Sequence, residues 1–221
     1  MSIARRLAAE AMGTAFLLAV VVGSGIMGQR LSGGNDAIAL LGNSIATGAG
    51  LAVLIFLFAP ISGAHFNPAV TLIELIEGKM PLSEALSYIA VQIIAALVGV
   101  AATHLMFGEV LFAPSDHARI GPSQLWSEFI ATFGLILVIK LSSRRSANVV
   151  PVTVAAYITA AYWFTASTSF ANPAVTIARS LTPTFAGIRP DGVVGFIVAQ
   201  LIGAYVAAKF SAWLIGSEAK R

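Results

Sequence analysis

The chain has 221 residues, of which 57% are hydrophobic and only 10% charged, whereas a soluble domain carries about a quarter charged residues. That balance excludes a water-exposed globule and places lipid around most of the exterior. A formal charge of +3 without any basic cluster excludes a nucleic-acid partner, and zero cysteines exclude disulfides, thiolate metal sites and a cysteine nucleophile.

At roughly 20 residues per crossing, the first span is expected at 8–28. Arg5 and Arg6 precede it in the manner of a signal peptide, but no short apolar core ends in a small-residue cleavage site, so it reads as a retained helix. It opens on Glu10-Ala11-Met12-Gly13-Thr14, and the second span follows at 37–58. Gly63 to Lys79 is too apolar for an exposed loop and too short for a crossing. It reads as a re-entrant segment, tolerated at membrane depth only where protein covers it or where it lines a water-filled cavity. The third span is expected at 83–107 and the fourth at 124–141, the latter opening on Glu128-Phe129-Ile130-Ala131-Thr132. The fifth is expected at 149–166, a second re-entrant segment from Thr168 to Arg189, and the sixth span at 191–215.

Each half sets a Glu four residues before a Thr, and each later repeats one pentapeptide: Asn67-Pro68-Ala69-Val70-Thr71 and Asn172-Pro173-Ala174-Val175-Thr176. Three spans per half is an odd number, so the second half enters from the opposite side. The expectation is one channel domain, 1–221, made of inverted repeats at 1–110 and 120–221, the arrangement that puts a permeation site near the bilayer midplane. Arg5, Arg6, Lys79, Arg144, Arg145, Lys220 and Arg221 fall on one face, which the basic-residue bias assigns to the cytoplasm with both termini; Arg30, Arg119, Arg179 and Arg189 fall on the other. The fold class is therefore all-α and membrane-embedded, with six transmembrane helices and two re-entrant half-helices.

Asparagine suits an N-cap and proline the first helical turn, so each Asn-Pro-Ala starts a helix. With inverted halves, the two helices meet by their N-termini, each carrying about half a positive charge. At about 5 Å and an effective dielectric of about 20, they oppose a monovalent cation by roughly 1.7 kcal/mol per helix, roughly 3 for the pair. A neutral hydrogen-bonding solute meets no such barrier. The amides of Asn67 and Asn172 can donate to it, and an extended backbone at Gly63, Ala64 and His65 and at Thr168, Ser169 and Phe170 can offer carbonyls.

With both motifs in place the chain resembles an aquaporin of the major intrinsic protein family, on the bacterial aquaglyceroporin side; Ser62-Gly63-Ala64-His65-Phe66-Asn67-Pro68-Ala69-Val70-Thr71 is close to the family signature. The resemblance implies a right-handed bundle, a pore in every protomer, a homotetramer and a place in the inner membrane. It also implies an arginine after the second Asn-Pro-Ala, where this chain has Val175. Carried over by spacing, the other constriction positions are Thr47, Ala160 and Ser169, of which the span-five position has no nearby landmark. This filter is wide and uncharged, so solutes larger than water are expected, such as polyols or neutral metalloid hydroxides and their methylated forms. A missing arginine removes about 2 kcal/mol of cation repulsion at about 8 Å. Arg179, one turn beyond Val175, is expected to restore it from the outer vestibule.

Glu10 and Glu128 are intramembrane carboxylates, functional candidates by default; in a channel they are expected to hold the re-entrant backbone, with proton coupling the alternative. His65 is expected to fix its loop or line the cytoplasmic pore. No metal-ligand spacing, cofactor motif or nucleophile–base pair is present, so neither an enzyme nor a metal centre is expected. The remaining alternatives are a strict water channel, an ion-coupled transporter built on the same kind of repeat, and a junction protein with a closed pore.

Overall fold

The computed structural model describes residues 1–216; Lys220 and Arg221, assigned above to the terminal face, lie outside the described residues. Eight α-helices follow in chain order: α1 (Ile3–Leu31), α2 (Asp36–Ser62), α3 (Pro68–Ile76), α4 (Leu82–Phe107), α5 (Pro122–Arg145), α6 (Val150–Phe164), α7 (Pro173–Arg179) and α8 (Pro190–Ile215). Six stretches are long and apolar enough to cross a membrane, α6 counting with the short turn Ala147–Val149 that precedes it. The helices α3 and α7 are too short to cross and are the two half-helices.

The crossings fall where hydropathy places them, but the helices overrun those limits. The first starts at Ile3, taking in Arg5 and Arg6, and the fifth helix of the chain runs on through Arg144 and Arg145. Helical backbone continues past the hydrocarbon because long basic side chains carry their charge to the interface; Arg6, for instance, reaches Glu84 at 2.5 Å. Likewise α2 runs through Pro60 to Ser62 and stops at Gly63, whose φ of +90° ends the helix in the left-handed conformation.

Packing is paired between the halves. Helix α1 lies against α2 and α4, as α5 lies against α6 and α8; α7 packs on α4 as α3 packs on α8; and α2 meets α6. Close approach is set by glycines at matched places. A Cβ on Gly99 of α4 would collide with the Ala15 carbonyl of α1, and one on Gly203 of α8 with the Phe129 carbonyl of α5. Gly48 meets Thr159 across the α2–α6 contact, and Gly50 meets Val20. Trp126, Trp163 and Trp213 are exposed near helix ends, where amphipathic rings sit at the headgroup level.

Candidate permeation pathway

The two Asn-Pro-Ala segments converge at the middle of the bundle. Asn67 caps α3, its Oδ1 accepting from the Ala69 N–H at 2.9 Å, and Asn172 caps α7 from the Ala174 and Val175 N–H groups at 3.0 and 3.3 Å. Each amide then donates across to the other segment. Asn67 Nδ2 reaches the Ala171 carbonyl and Asn172 Nδ2 the Phe66 carbonyl, both at 2.7 Å. The half-helices therefore meet by their N-termini, α3 running toward the face that bears the chain termini and α7 toward the opposite face. A primary amide has two N–H groups; one is spent on this crossing bond, leaving one per asparagine for a solute.

The sequence suggested an extended backbone before each motif; the structure instead alternates into left-handed conformations there. Ala64 and Phe66 have φ of 50° and 49°; Thr168, Ser169 and Ala171 have 61°, 53° and 48°. Left-handed conformations cost of order 1–3 kcal/mol each in non-glycine residues and persist only when surroundings enforce them. The enforcement comes from the buried carboxylates. Glu10 accepts from the His65 and Phe66 N–H groups at 3.0 and 2.7 Å, from Ser62 Oγ at 2.7 Å and from Gln92 Nε2 at 2.8 Å. Glu128 accepts from the Phe170 and Ala171 N–H groups, both at 2.9 Å, and from Gln200 Nε2 at 2.6 Å. With the N–H groups drawn toward the carboxylates, the carbonyls are free to turn elsewhere. Gln92 and Gln200 complete each bracket by donating to Thr71 and Thr176, the last residues of the two pentapeptides.

A cavity of about 350 Å³ runs past these motifs. Gly63, Ala64, His65, Ser169 and Phe170 line it together with both asparagines, while Thr168 does not and instead accepts from Arg119 Nη1 at 3.3 Å. Thr47, Ser169 and Val175 also line it. Ala160 does not: it is exposed on the outer flank of α6. From α6 the cavity wall takes Val150, Val154, Ile158 and Tyr162, the last lying two positions beyond Ala160 with its hydroxyl 3.2 Å from Thr47 Oγ1. The expectation failed because a helix turns about 100° per residue, so a two-residue offset moves a side chain from wall to lipid.

Arg179 is 2% exposed and belongs to the cavity lining. Its guanidinium stacks 3.4 Å from the Phe170 ring centroid, and Nε donates to the Ala186 carbonyl. His65 is held from Nδ1 by Thr71 Oγ1 at 3.0 Å, with its ring tilted against Tyr88. At the terminal face Glu74 reaches the cavity, compensated by Lys140 at 2.8 Å and Lys79 at 3.4 Å. Among the described residues no cluster of three metal-ligating side chains occurs.

Four contributors to the site were not expected from the sequence. Gln92 and Gln200 carried a signal, a lone amide inside each half's apolar third span. Tyr162 and Arg119 carried none, since only the fold sets their distance from the motifs.

A sequence profile described as "Major intrinsic protein" matches residues 1–167. The chain belongs to the major intrinsic protein family. The match ends five residues before the second motif begins. Within the family the chain is 50% identical over 211 residues to "Aquaglyceroporin AqpS" of Rhizobium meliloti (strain 1021), covering 96% of this chain and 90% of that one. It is 29% identical over 223 residues to "Glycerol uptake facilitator protein-like 6" of Lactiplantibacillus plantarum, covering 97% and 99%. The fold matches the crystal structure of the aquaglyceroporin from Plasmodium falciparum with a TM-score of 0.73 over 95% of both chains, at 20% identity. This is a multi-pass membrane protein of a channel family.

Proposed function

We propose that the protein is a passive channel for small neutral solutes larger than water: glycerol-sized polyols, or neutral metalloid hydroxides and their methylated forms. The observation that carries this reading is the character of the cavity wall, to which the paired Thr47 and Tyr162 hydroxyls and the apolar Val175 contribute, with no arginine at the position after Asn-Pro-Ala. Such a wall suits a solute with one hydroxyl-bearing edge and one apolar face. Cation exclusion falls to the two helix N-termini and to Arg179, which supplies a unit charge one turn outward.

The two relatives, an aquaglyceroporin and a glycerol uptake facilitator-like protein by name, point the same way. The matched contacts of the two halves support an inverted repeat, and the basic residues Arg5, Arg6, Lys79, Arg144 and Arg145 on the terminal face support cytoplasmic termini in the inner membrane. A homotetramer with a pore in each protomer completes the reading. Stopped-flow light scattering on proteoliposomes tests it with water, glycerol, urea and arsenite. Glycerol flux well above that of protein-free vesicles is expected; water flux alone, in both the natural chain and Val175→Arg, would overturn the wide-filter reading.

A further inference from the structure

The outer mouth holds two guanidinium groups against one aromatic ring. Arg179 lies 3.4 Å and Arg119 5.3 Å from the Phe170 centroid. Arg119 arrives on the segment between α4 and α5, which is pinned across the mouth: Ser115 N–H donates to the Ser180 carbonyl at 3.1 Å and Arg189 N–H to the His117 carbonyl at 2.8 Å. Arg119 itself donates to the carbonyls of Gly187 and Ser167 at 2.9 and 3.1 Å, besides its bond to Thr168.

Among the described residues neither arginine has a carboxylate partner. Glu128, the buried carboxylate nearby, is committed to Phe170, Ala171 and Gln200, and Asp116 is exposed and makes no ion pair. A buried charge without a counter-charge is costly. Arg119 is offset in part by its three acceptors, but Arg179 has one, so its remaining N–H groups face the cavity without a protein acceptor. A planar guanidinium fork matches the paired oxygens of an oxyanion. Deeper in, the N-terminal ends of α3 and α7 extend the positive potential, and the Thr47–Tyr162 pair, sharing one hydrogen bond between two hydroxyls, keeps one O–H to donate.

We infer that the outer mouth is a binding site for a small monovalent oxyanion, held by the cavity-facing side of Arg179 with Arg119 as second charge, and that its occupant obstructs the solute path. Binding stands on the geometry alone; obstruction rests on the neutral-solute reading above.

Methanesulfonate is a suitable probe because it stays ionised and has no neutral acid form to cross the bilayer. Replacing chloride with methanesulfonate at constant ionic strength should raise the melting temperature of the purified full chain saturably. Arg179→Gln should abolish that rise and Arg119→Gln weaken the half-saturating concentration about tenfold, whereas Arg189→Gln, whose side chain pairs with Asp191 at 2.7 Å, should keep it. In proteoliposomes the same anion should slow glycerol flux through the natural chain and not through Arg179→Gln. No shift, or an equal shift in Arg179→Gln, would overturn the site even if glycerol flux is intact. A shift without any flux of glycerol, urea or arsenite would support the site and overturn the neutral-solute reading instead. Should Arg119→Gln fail to fold, the comparison with Arg179→Gln decides alone.

Discussion

Val175 is the residue through which selectivity is most directly changed, because it lines the cavity one helical turn from the buried Arg179. A guanidinium at 175 would add bulk to the wall of the cavity that Tyr162 also lines and place a third positive group near the mouth, one turn from Arg179. Val175→Arg is expected to cut glycerol flux about tenfold while water flux stays within about twofold, since added volume and charge act on the larger solute first; paired stopped-flow traces measure the ratio. The buried carboxylates obey a different logic. Glu128→Gln keeps shape but turns an acceptor oxygen into a donor facing the Phe170 or Ala171 N–H. Losing one such charge-assisted bond and clashing two donors should cost about 2–4 kcal/mol. The expected result is a lower melting temperature by fluorescence-detected size exclusion, with a matching loss for Glu10→Gln. If instead Glu128→Gln kept its stability and altered only the response of uptake to a pH gradient, the carboxylate would be a proton carrier and the scaffold assignment would fail.

At the level of elements, hydropathy made the six crossings legible and the two Asn-Pro-Ala motifs made the half-helices legible, because both signals are local. A cap and a first-turn proline specify a helix start wherever they occur. The left-handed backbone before each motif was not legible: Ala64, Phe66, Ser169 and Ala171 have no intrinsic preference for positive φ, and the carboxylates that impose it lie 55 and 42 residues away along the chain. Tyr162 was hidden for a related reason, since α6 contains no landmark from which to count its wall-facing positions. Gly99 and Gly203 press on the carbonyls of Ala15 and Phe129, and backbone cannot step aside as a side chain can. Gly99→Ala and Gly203→Ala are each expected to destabilise by about 2–3 kcal/mol through displacement of the facing helix. Gly42→Ala, with nothing near the added methyl, should be neutral or slightly stabilising through its helix propensity; the three melting temperatures measured together check this.

For the molecule as a whole, the two halves are joined at the terminal face by charges, in addition to the contacts at the motifs. Lys140 of α5 reaches Glu74 of α3 at 2.8 Å and Glu77 just beyond it at 2.7 Å, while Lys79 sits 2.7 Å from Glu77. Burial pushes the Glu77 carboxyl up, but hydrogen bonds from Lys140 and Lys79 outweigh it, so the group titrates below the ordinary carboxylate range. A depressed folded-state pKa means that the ionised form stabilises the fold: the contribution is fully present above the unfolded-state value, about 4.3, and is lost as pH falls through the lower folded value. Burial pushes Lys79 down, but Glu77 and Glu74 outweigh it and raise it, so its contribution is present throughout the neutral range and is lost only at strongly alkaline pH. The group is partly exposed, so the whole ion cluster is worth about 1 kcal/mol rather than several. Lys140→Met removes the cation shared by both glutamates and leaves Lys79 to balance two carboxylates. The variant is expected to melt a few degrees below the natural chain at pH 7, and the gap should close as both proteins are taken below about pH 4, where the glutamates become neutral and no longer need the lysine. A gap that stays constant from pH 7 down to about pH 3 would mean that Lys140 joins the halves through its aliphatic stem, by packing, and that the charges there are incidental to assembly.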